Sequence, residues 1–467
     1  MKKGLGICLF LGCWLASQAQ TKYTLDYTDS TVAYINITLQ PATPVKGSTA
    51  FVMPRSIPGS YSISLYDQFV EDVYAITPGG QKIPMLEDGN DAPRWYAADS
   101  SQPIQQISYR VNLGKMENRI SLADASIIRS GFAGILNYSV FGWLDGKEKE
   151  PVVCTVTSFP GWSIFSSNEP SQNPAKETFS FQTDNYYTLA DGQLFIGTRF
   201  NVKTYQGITP LYVAAYCETG EEYLDDYGKQ GTSAMGILKE YFGELPFQEY
   251  SILLRKAVPP DHKTAPSLAM EHLQSSTFFG DTNGMRKAAI SQERIIATIP
   301  TIIHHMAHSL LPLRCYGDHY RPYVLEIPPI INHIWFNEGF MWFLPYDTLK
   351  LERMKKRFID NVYHTAPQIK QLSLQELSQL ASTMYGTDFR IGTALYSRGA
   401  LMALEMNEYL LQVSAGRKSM KDVFRYLYQW SKQNKRPFTL EELPQLLNQS
   451  CQIDLGKIYA KWQLPIQ

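Results

Sequence analysis

A change of hydrophobic period near Tyr223 restricts this chain more than any other feature. Before it, from Thr21 to about Thr188, apolar residues come in short runs at 31–39, 49–53, 106–113, 152–157 and 177–182. Turn formers such as Pro78-Gly79-Gly80 and Asp88-Gly89-Asn90 separate them. Short apolar runs between turns are the pattern of antiparallel strands, so this part is expected to be a β-sandwich. Strand-like segments continue through residues 194–217. After Tyr223 the spacing becomes helical, over 234–242 and, past a strand at 250–255, over 291–311, 347–365, 373–382, 393–411, 419–433 and 440–447. Strands first and helices after give an α+β multidomain chain.

The first residues carry an address. Met1 to Ala19 has Lys2 and Lys3, an apolar run from Leu5 to Ala16, and small residues in Ser17-Gln18-Ala19. That order is the pattern of a cleaved secretory signal, which carries the mature chain across the inner membrane to a periplasmic or extracellular location. The run is too short to span a bilayer, and no later stretch offers about eighteen uninterrupted apolar residues, so a soluble mature chain without a transmembrane segment is expected. Cys13 after Leu11-Gly12 leaves room for a lipid anchor, which Phe10 disfavours. About 450 residues then remain, more than one core usually organises, so two or three domains are expected.

Charge and cysteine content narrow the partners. With 43 basic and 44 acidic residues the net charge is −1, which provides no field to gather nucleic acid or anionic lipid. Small or peptidic substrates fit better. The sequence holds no Gly-rich phosphate-binding loop, which argues against nucleotide chemistry. Cys154, Cys217, Cys315 and Cys451 lie far apart, without the close pairing of a zinc ribbon or a redox motif, so a disulfide is permitted and not required.

Within the helical part lies His304-His305-Met306-Ala307-His308, followed thirty residues on by Glu338 in Trp335-Phe336-Asn337-Glu338-Gly339-Phe340. Residues four apart share a helix face, so His304 and His308 can direct two imidazoles at one metal while Glu338 arrives from a second helix. Two histidines and a glutamate make an open catalytic zinc site. Apolar patterning through Ile302, Ile303, Met306, Leu310 and Leu311 would also bury histidines with no metal. Glu338 weighs against that alternative, because an acid among Trp335, Phe336, Phe340 and Trp342 carries a desolvation cost unless it is paired or bound to metal. Such enzymes carry His-Glu-x-x-His, whose glutamate is the general base, and here His305 takes its place.

Together with these segments, Met53-Pro54-Arg55-Ser56-Ile57-Pro58-Gly59-Ser60-Tyr61, Tyr241-Phe242-Gly243-Glu244-Leu245-Pro246-Phe247, Ala269-Met270-Glu271-His272 and Leu395-Tyr396-Ser397-Arg398-Gly399-Ala400-Leu401 resemble the glycyl aminopeptidase family of gluzincin metallopeptidases, in the right order over most of the mature chain. The resemblance implies an N-terminal β-sandwich domain, a thermolysin-like zinc-peptidase domain and a C-terminal helical domain, here at residues 20–190, 191–346 and 347–467 after a signal peptide at 1–19. That family usually has a PDZ domain too, and no stretch of this sequence reads as one. It further implies Zn2+ held by His304, His308 and Glu338, a peptide's free N-terminus received by Glu271, and a hydrogen bond from Tyr396 to the substrate oxyanion. A solvated strand-end acid and a buried core phenol are the plain alternatives for Glu271 and Tyr396.

His305 departs from the family pattern, with three physical outcomes. It can replace the glutamate as base, since a nearby divalent cation keeps an imidazole neutral. It can become a fourth ligand and close the site. It can also point elsewhere and leave hydrolysis without a base, a loss of about 10² to 10⁴ in rate. Two function classes follow, a secreted zinc aminopeptidase with weakened or altered hydrolysis and an inactive pseudopeptidase that binds peptides. The sequence leaves the oligomeric state open.

Overall fold

In the strand Thr21–Tyr27 alternate residues Thr21, Tyr23, Leu25 and Tyr27 point inward and are buried, the period-two pattern of a strand with one face on a core. It pairs in parallel with Val152–Ser158 and antiparallel with Tyr34–Gln40, inside a ten-stranded sheet. A five-stranded sheet that includes Phe132–Leu136 and Gln193–Gly197 shares its core, where Ile37, Ile107 and Val156 meet Ile135, Leu194 and Ile196. These observations come from a computed structural model that describes residues 20–29, 33–120, 124–172, 174–218, 222–257, 269–280, 292–321, 324–385 and 387–466. The leader, Cys13 included, lies outside the described residues.

A third sheet positions the functional cleft. Its order is Asn201–Gln206, Pro210–Cys217, Tyr250–Lys256, Ser275–Gly280 and Ala269–Glu271, with the middle three parallel and both edges antiparallel. Parallel neighbours need a crossover, which the helix Leu224–Phe242 supplies between Pro210–Cys217 and Tyr250–Lys256. Gly243, at φ +86°, ends that helix, its N–H bonding the carbonyl of Lys239. Glu271 is the last residue of the edge strand.

The helix Gln292–Ala307 packs on both the crossover helix and this edge. It stops earlier than the sequence pattern suggests. Pro312 disfavours helical backbone at Leu311 before it, and wider bonds follow, Leu313 N–H to His308 O at 3.1 Å and Cys315 N–H to Leu310 O at 2.7 Å. Beyond it come a π-helical turn at Trp335–Phe340 and the helices Met341–Leu349, Glu352–Tyr363, Leu374–Met384, Phe389–Val413, Met420–Asn434, Leu443–Cys451 and Gly456–Gln463. Lys350, in left-handed backbone at φ +50°, breaks the segment expected as one helix over 347–365.

The result is an α+β multidomain fold, with a β-rich N-terminal domain of curled sheets and a C-terminal helical region. One apolar cluster joins the third sheet to the helices, from Leu211 and Ile252 through Ile302, Met306, Phe336 and Phe340 to Leu395, Met402 and Phe424. Each fully buried side chain of this kind contributes about 1.5–3 kcal/mol. The N-terminal core in turn takes in Met270, Phe279 and Leu325. Arg94 grips Glu326 with two bonds of 2.6 and 2.7 Å, and the N–H groups of Arg55 and Ser56 both bond Leu325 O. Among the described residues no helix is long and apolar enough to cross a membrane, and Cys154, Cys217, Cys315 and Cys451 form no disulfide with one another.

Candidate metal centre

His304 lies in the last turn of Gln292–Ala307, and His308 is the first residue past it. The N–H of His308 still bonds His304 O at 3.2 Å, so the helical spacing holds through the pair. Their Nε2 atoms stand 3.1 Å apart. Oε2 of Glu338 lies 3.5 Å from one and 3.6 Å from the other. Ligands about 2.0–2.1 Å from a zinc ion at tetrahedral angles stand about 3.3–3.4 Å from one another, so these three atoms already outline one face of such a shell.

The π-helical turn carries Glu338 to this point. Such turns widen a helix by one residue and re-aim the side chains on it. This one is pressed on the helix Phe389–Val413, where Gly339 and Gly399 face each other. A Cβ on Gly399 would stand 2.2 Å from Trp335 O, and one on Gly339 2.5 Å from the Cα of Gly399. Only two glycines let the backbones approach so closely.

The surroundings fit a divalent cation. His308 Nδ1–H donates to Leu311 O at 3.0 Å, which fixes the tautomer and leaves the Nε2 lone pair aimed at the centre. That carbonyl is free because the helix stops before Pro312. His304, His308, Glu338 and Glu271 are 2, 0, 5 and 5 % exposed, so two carboxylates share one dry pocket. Burial, with His308 close by, pushes His304 down to about 3. Burial opposes charge on His308 too, yet Glu271 and Glu338 hold it up to about 9. Glu338 stays well below the usual carboxylate range despite burial, chiefly through His308 and the bond from His304. Two buried carboxylates beside two imidazoles are a donor set whose negative charge a divalent cation would offset.

His305 stands beside this triangle, with a ring nitrogen within 4.8 Å of ligand atoms of His304 and His308, so a place as a further ligand is within its reach. Its Nδ1 lies 3.2 Å from Glu271 Oε2, and its ring meets Phe278 edge-on. Burial works against the charge of Glu271, but His308 and the His305 bond keep its carboxyl below the ordinary value. Glu271 Oε1 is buried and has no hydrogen-bond partner among the described residues. Gly59, at φ +89°, passes so near that a Cβ there would stand 2.2 Å from that oxygen. The turn after Glu271 is pinned to the N-terminal domain, with His272 Nδ1 3.1 Å from Asp191 Oδ1 and Leu273 N–H donating to Asp191 Oδ2 at 2.7 Å.

Tyr396 is linked to the cluster through Trp342. Its ring lies 6.1 Å from the Trp342 indole, which stacks 4.1 Å from His304, and its hydroxyl bonds Thr393 Oγ1 at 3.3 Å. Two tyrosines without an assigned role in the sequence reading stand closer to the charges. The Tyr385 phenol is pushed well up by burial and then by Glu338, Tyr396 and Glu271. Tyr61 accepts a 3.4 Å bond from Asn337 Nδ2 and packs edge-on against Tyr385, 5.6 Å between centroids. Tyr61 sits beside the quoted Pro58-Gly59, and its buried, conformationally strained φ of +46° is a signal only the fold reveals.

A β-rich domain supplying Gly59 and Tyr61 to a His/His/Glu cleft can be compared with known proteins. Residues 22–198 match the Peptidase M61 N-terminal domain. The structural likeness extends over nearly the whole chain. An aminopeptidase N family protein from Idiomarina loihiensis superposes with a TM-score of 0.79 at 20 % identity, covering 96 % of this chain and 76 % of that one. A variant of the M1 zinc metallopeptidase from Deinococcus radiodurans, bound to a Tyr-Ser-Ala substrate, gives 0.54 at 14 % identity, with 96 % and 94 % covered. Native yeast LTA4 hydrolase gives 0.57 at 12 %, with 96 % and 68 % covered. No curated protein matches the sequence. Residues 22–198 are thus similar to the Peptidase M61 N-terminal domain, and the fold of the chain is similar to that of M1 zinc metallopeptidases.

Proposed function

We propose that this protein receives the N-terminal end of peptides at a zinc site formed by His304, His308 and Glu338, with hydrolysis weakened or altered at His305. The observation that carries the reading is the triangle of 3.1, 3.5 and 3.6 Å between Nε2, Nε2 and Oε2 of those three residues. Bound zinc supplies a Lewis acid for a scissile carbonyl and lowers the pKa of water. Glu271 receives the α-amino group by a charge-assisted hydrogen bond. Tyr396 donates to the developing oxyanion, and Tyr385, facing Glu338 and Glu271, is the second phenol on that side. Trp342 covers His304 and keeps water from its outer face. The family's general base has no counterpart, because position 305 carries an imidazole bonded to Glu271. That bond also favours a second reading, a pseudopeptidase that holds peptide ends without turning them over. The leader pattern supports export to the periplasm or beyond.

Metal analysis of the purified mature protein and assays on short free-amine peptides test the proposal. One zinc per chain is expected, lost in His304→Ala and Glu338→Ala. His305→Glu is expected to raise hydrolysis by about 10² to 10⁴, the usual worth of a general base. Equal, substoichiometric metal in the parent and both alanine variants would falsify the zinc reading. A fast parent that His305→Glu slows would make the imidazole the working base.

A further inference from the structure

We propose that His305 is the resident partner of the amine anchor, so that a free-amine ligand must displace its Nδ1–H from Glu271 before binding; this rests on the function proposed above. A carboxylate can only accept, so the proton of the 3.2 Å contact belongs to Nδ1. Among the described residues this is the hydrogen bond that Glu271 makes. A buried carboxylate needs donors, and His305 supplies the one a substrate ammonium would otherwise bring. Glu271 cannot turn away to offer its other oxygen. Oε1 is buried against Gly59, on a loop from the N-terminal domain, at a distance that would not admit even a methyl group. Oε2, the oxygen that does not face Gly59, is the one His305 already holds.

The substitution of His for Glu at 305 thus does more than remove a base. A glutamate there would repel Glu271 and leave Oε2 to the ligand, whereas histidine competes with the ligand for that oxygen. Exchange of one charge-assisted bond for another lowers the affinity for free amines and leaves N-blocked ligands unaffected. A hydrogen bond to a charged group corresponds to about tenfold or more in affinity.

Calorimetric titration of the zinc-loaded mature protein with Ala-Ala and with N-acetyl-Ala-Ala tests this. His305→Ala and His305→Phe both delete the donor, and the second keeps the volume of the ring. In both variants Ala-Ala is expected to bind about tenfold or more tightly than in the parent, with N-acetyl-Ala-Ala unchanged. Affinity for Ala-Ala that is unchanged or weakened, in a variant holding the parent's zinc, overturns the inference while leaving the zinc site in place. If neither peptide binds the zinc-loaded parent or either variant, the proposed function fails and this inference with it.

Discussion

Glu271 is held from two sides, by a hydrogen bond from His305 and by the bare backbone of Gly59. Gly59→Ala would force a methyl group to within 2.2 Å of Oε1 at a backbone φ of +89°. We expect about 1–3 kcal/mol of lost stability from the strained backbone and, with the carboxylate shifted, a loss of any preference for free-amine over N-acetylated peptides. Thermal unfolding together with peptide titration checks this; a variant that melts and binds like the parent shows that the loop does not support the anchor. The convergence of His304, His308 and Glu338 was legible in the sequence because a spacing of four on a helix fixes which side chains share a face, and because an acid in an aromatic segment asks for a partner. The pairing of His305 with Glu271 was not. It joins a helix to a sheet edge thirty-four residues away, a relation that no local period encodes. Tyr61, Asn337 and Tyr385 escaped for the same reason, since each acquires its position from tertiary packing alone.

At the level of elements, the contact between Gly339 and Gly399 decides where Glu338 points. Gly399→Ala would drive a Cβ to 2.2 Å from Trp335 O and wedge the Phe389–Val413 helix off the π-helical turn. Overpacking of this kind costs about 1–3 kcal/mol, and here the displaced backbone carries Glu338. Lower zinc content and a lower melting temperature are expected together; full zinc retention at a reduced melting temperature would show that the turn holds its shape without the helix. The switch from period two to a helical period located the strands and helices well. The wider turn at Trp335–Phe340 lay beyond that reading, because one inserted residue barely disturbs an apolar pattern. The helix that carries His304 ended at Ala307 and not near Leu311, where the bonds widen from Leu313 N–H to His308 O and from Cys315 N–H to Leu310 O.

Across the whole molecule the cores interlock. Tyr61 of the N-terminal domain lies in the cluster of the third sheet and helices, while Met270, Phe279 and Leu325 lie in the N-terminal one. Scanning calorimetry of the zinc-free protein is expected to give a single transition, because neither core is complete without the other; two well-separated transitions would show that the domains unfold independently. Composition and the change of period told of several layers but not of this exchange of side chains, which depends on loops that cross between them. The buried Arg398, one residue before Gly399, donates to Leu372 O at 2.8 Å and to Leu464 O at 2.7 Å, so the last turn of the chain is tied to the helix that braces Glu338. The centre is therefore written into both ends of the polypeptide, from Gly59 to Leu464. A chain leaving the ribosome exposes His304 and His308 before Gly399 and Arg398, on the helix that holds Glu338 in place, have emerged. On the function proposed above, the convergence of the three side chains is a late event of biogenesis, waiting on the helix that braces Glu338 and on the segment around Leu464 that Arg398 holds.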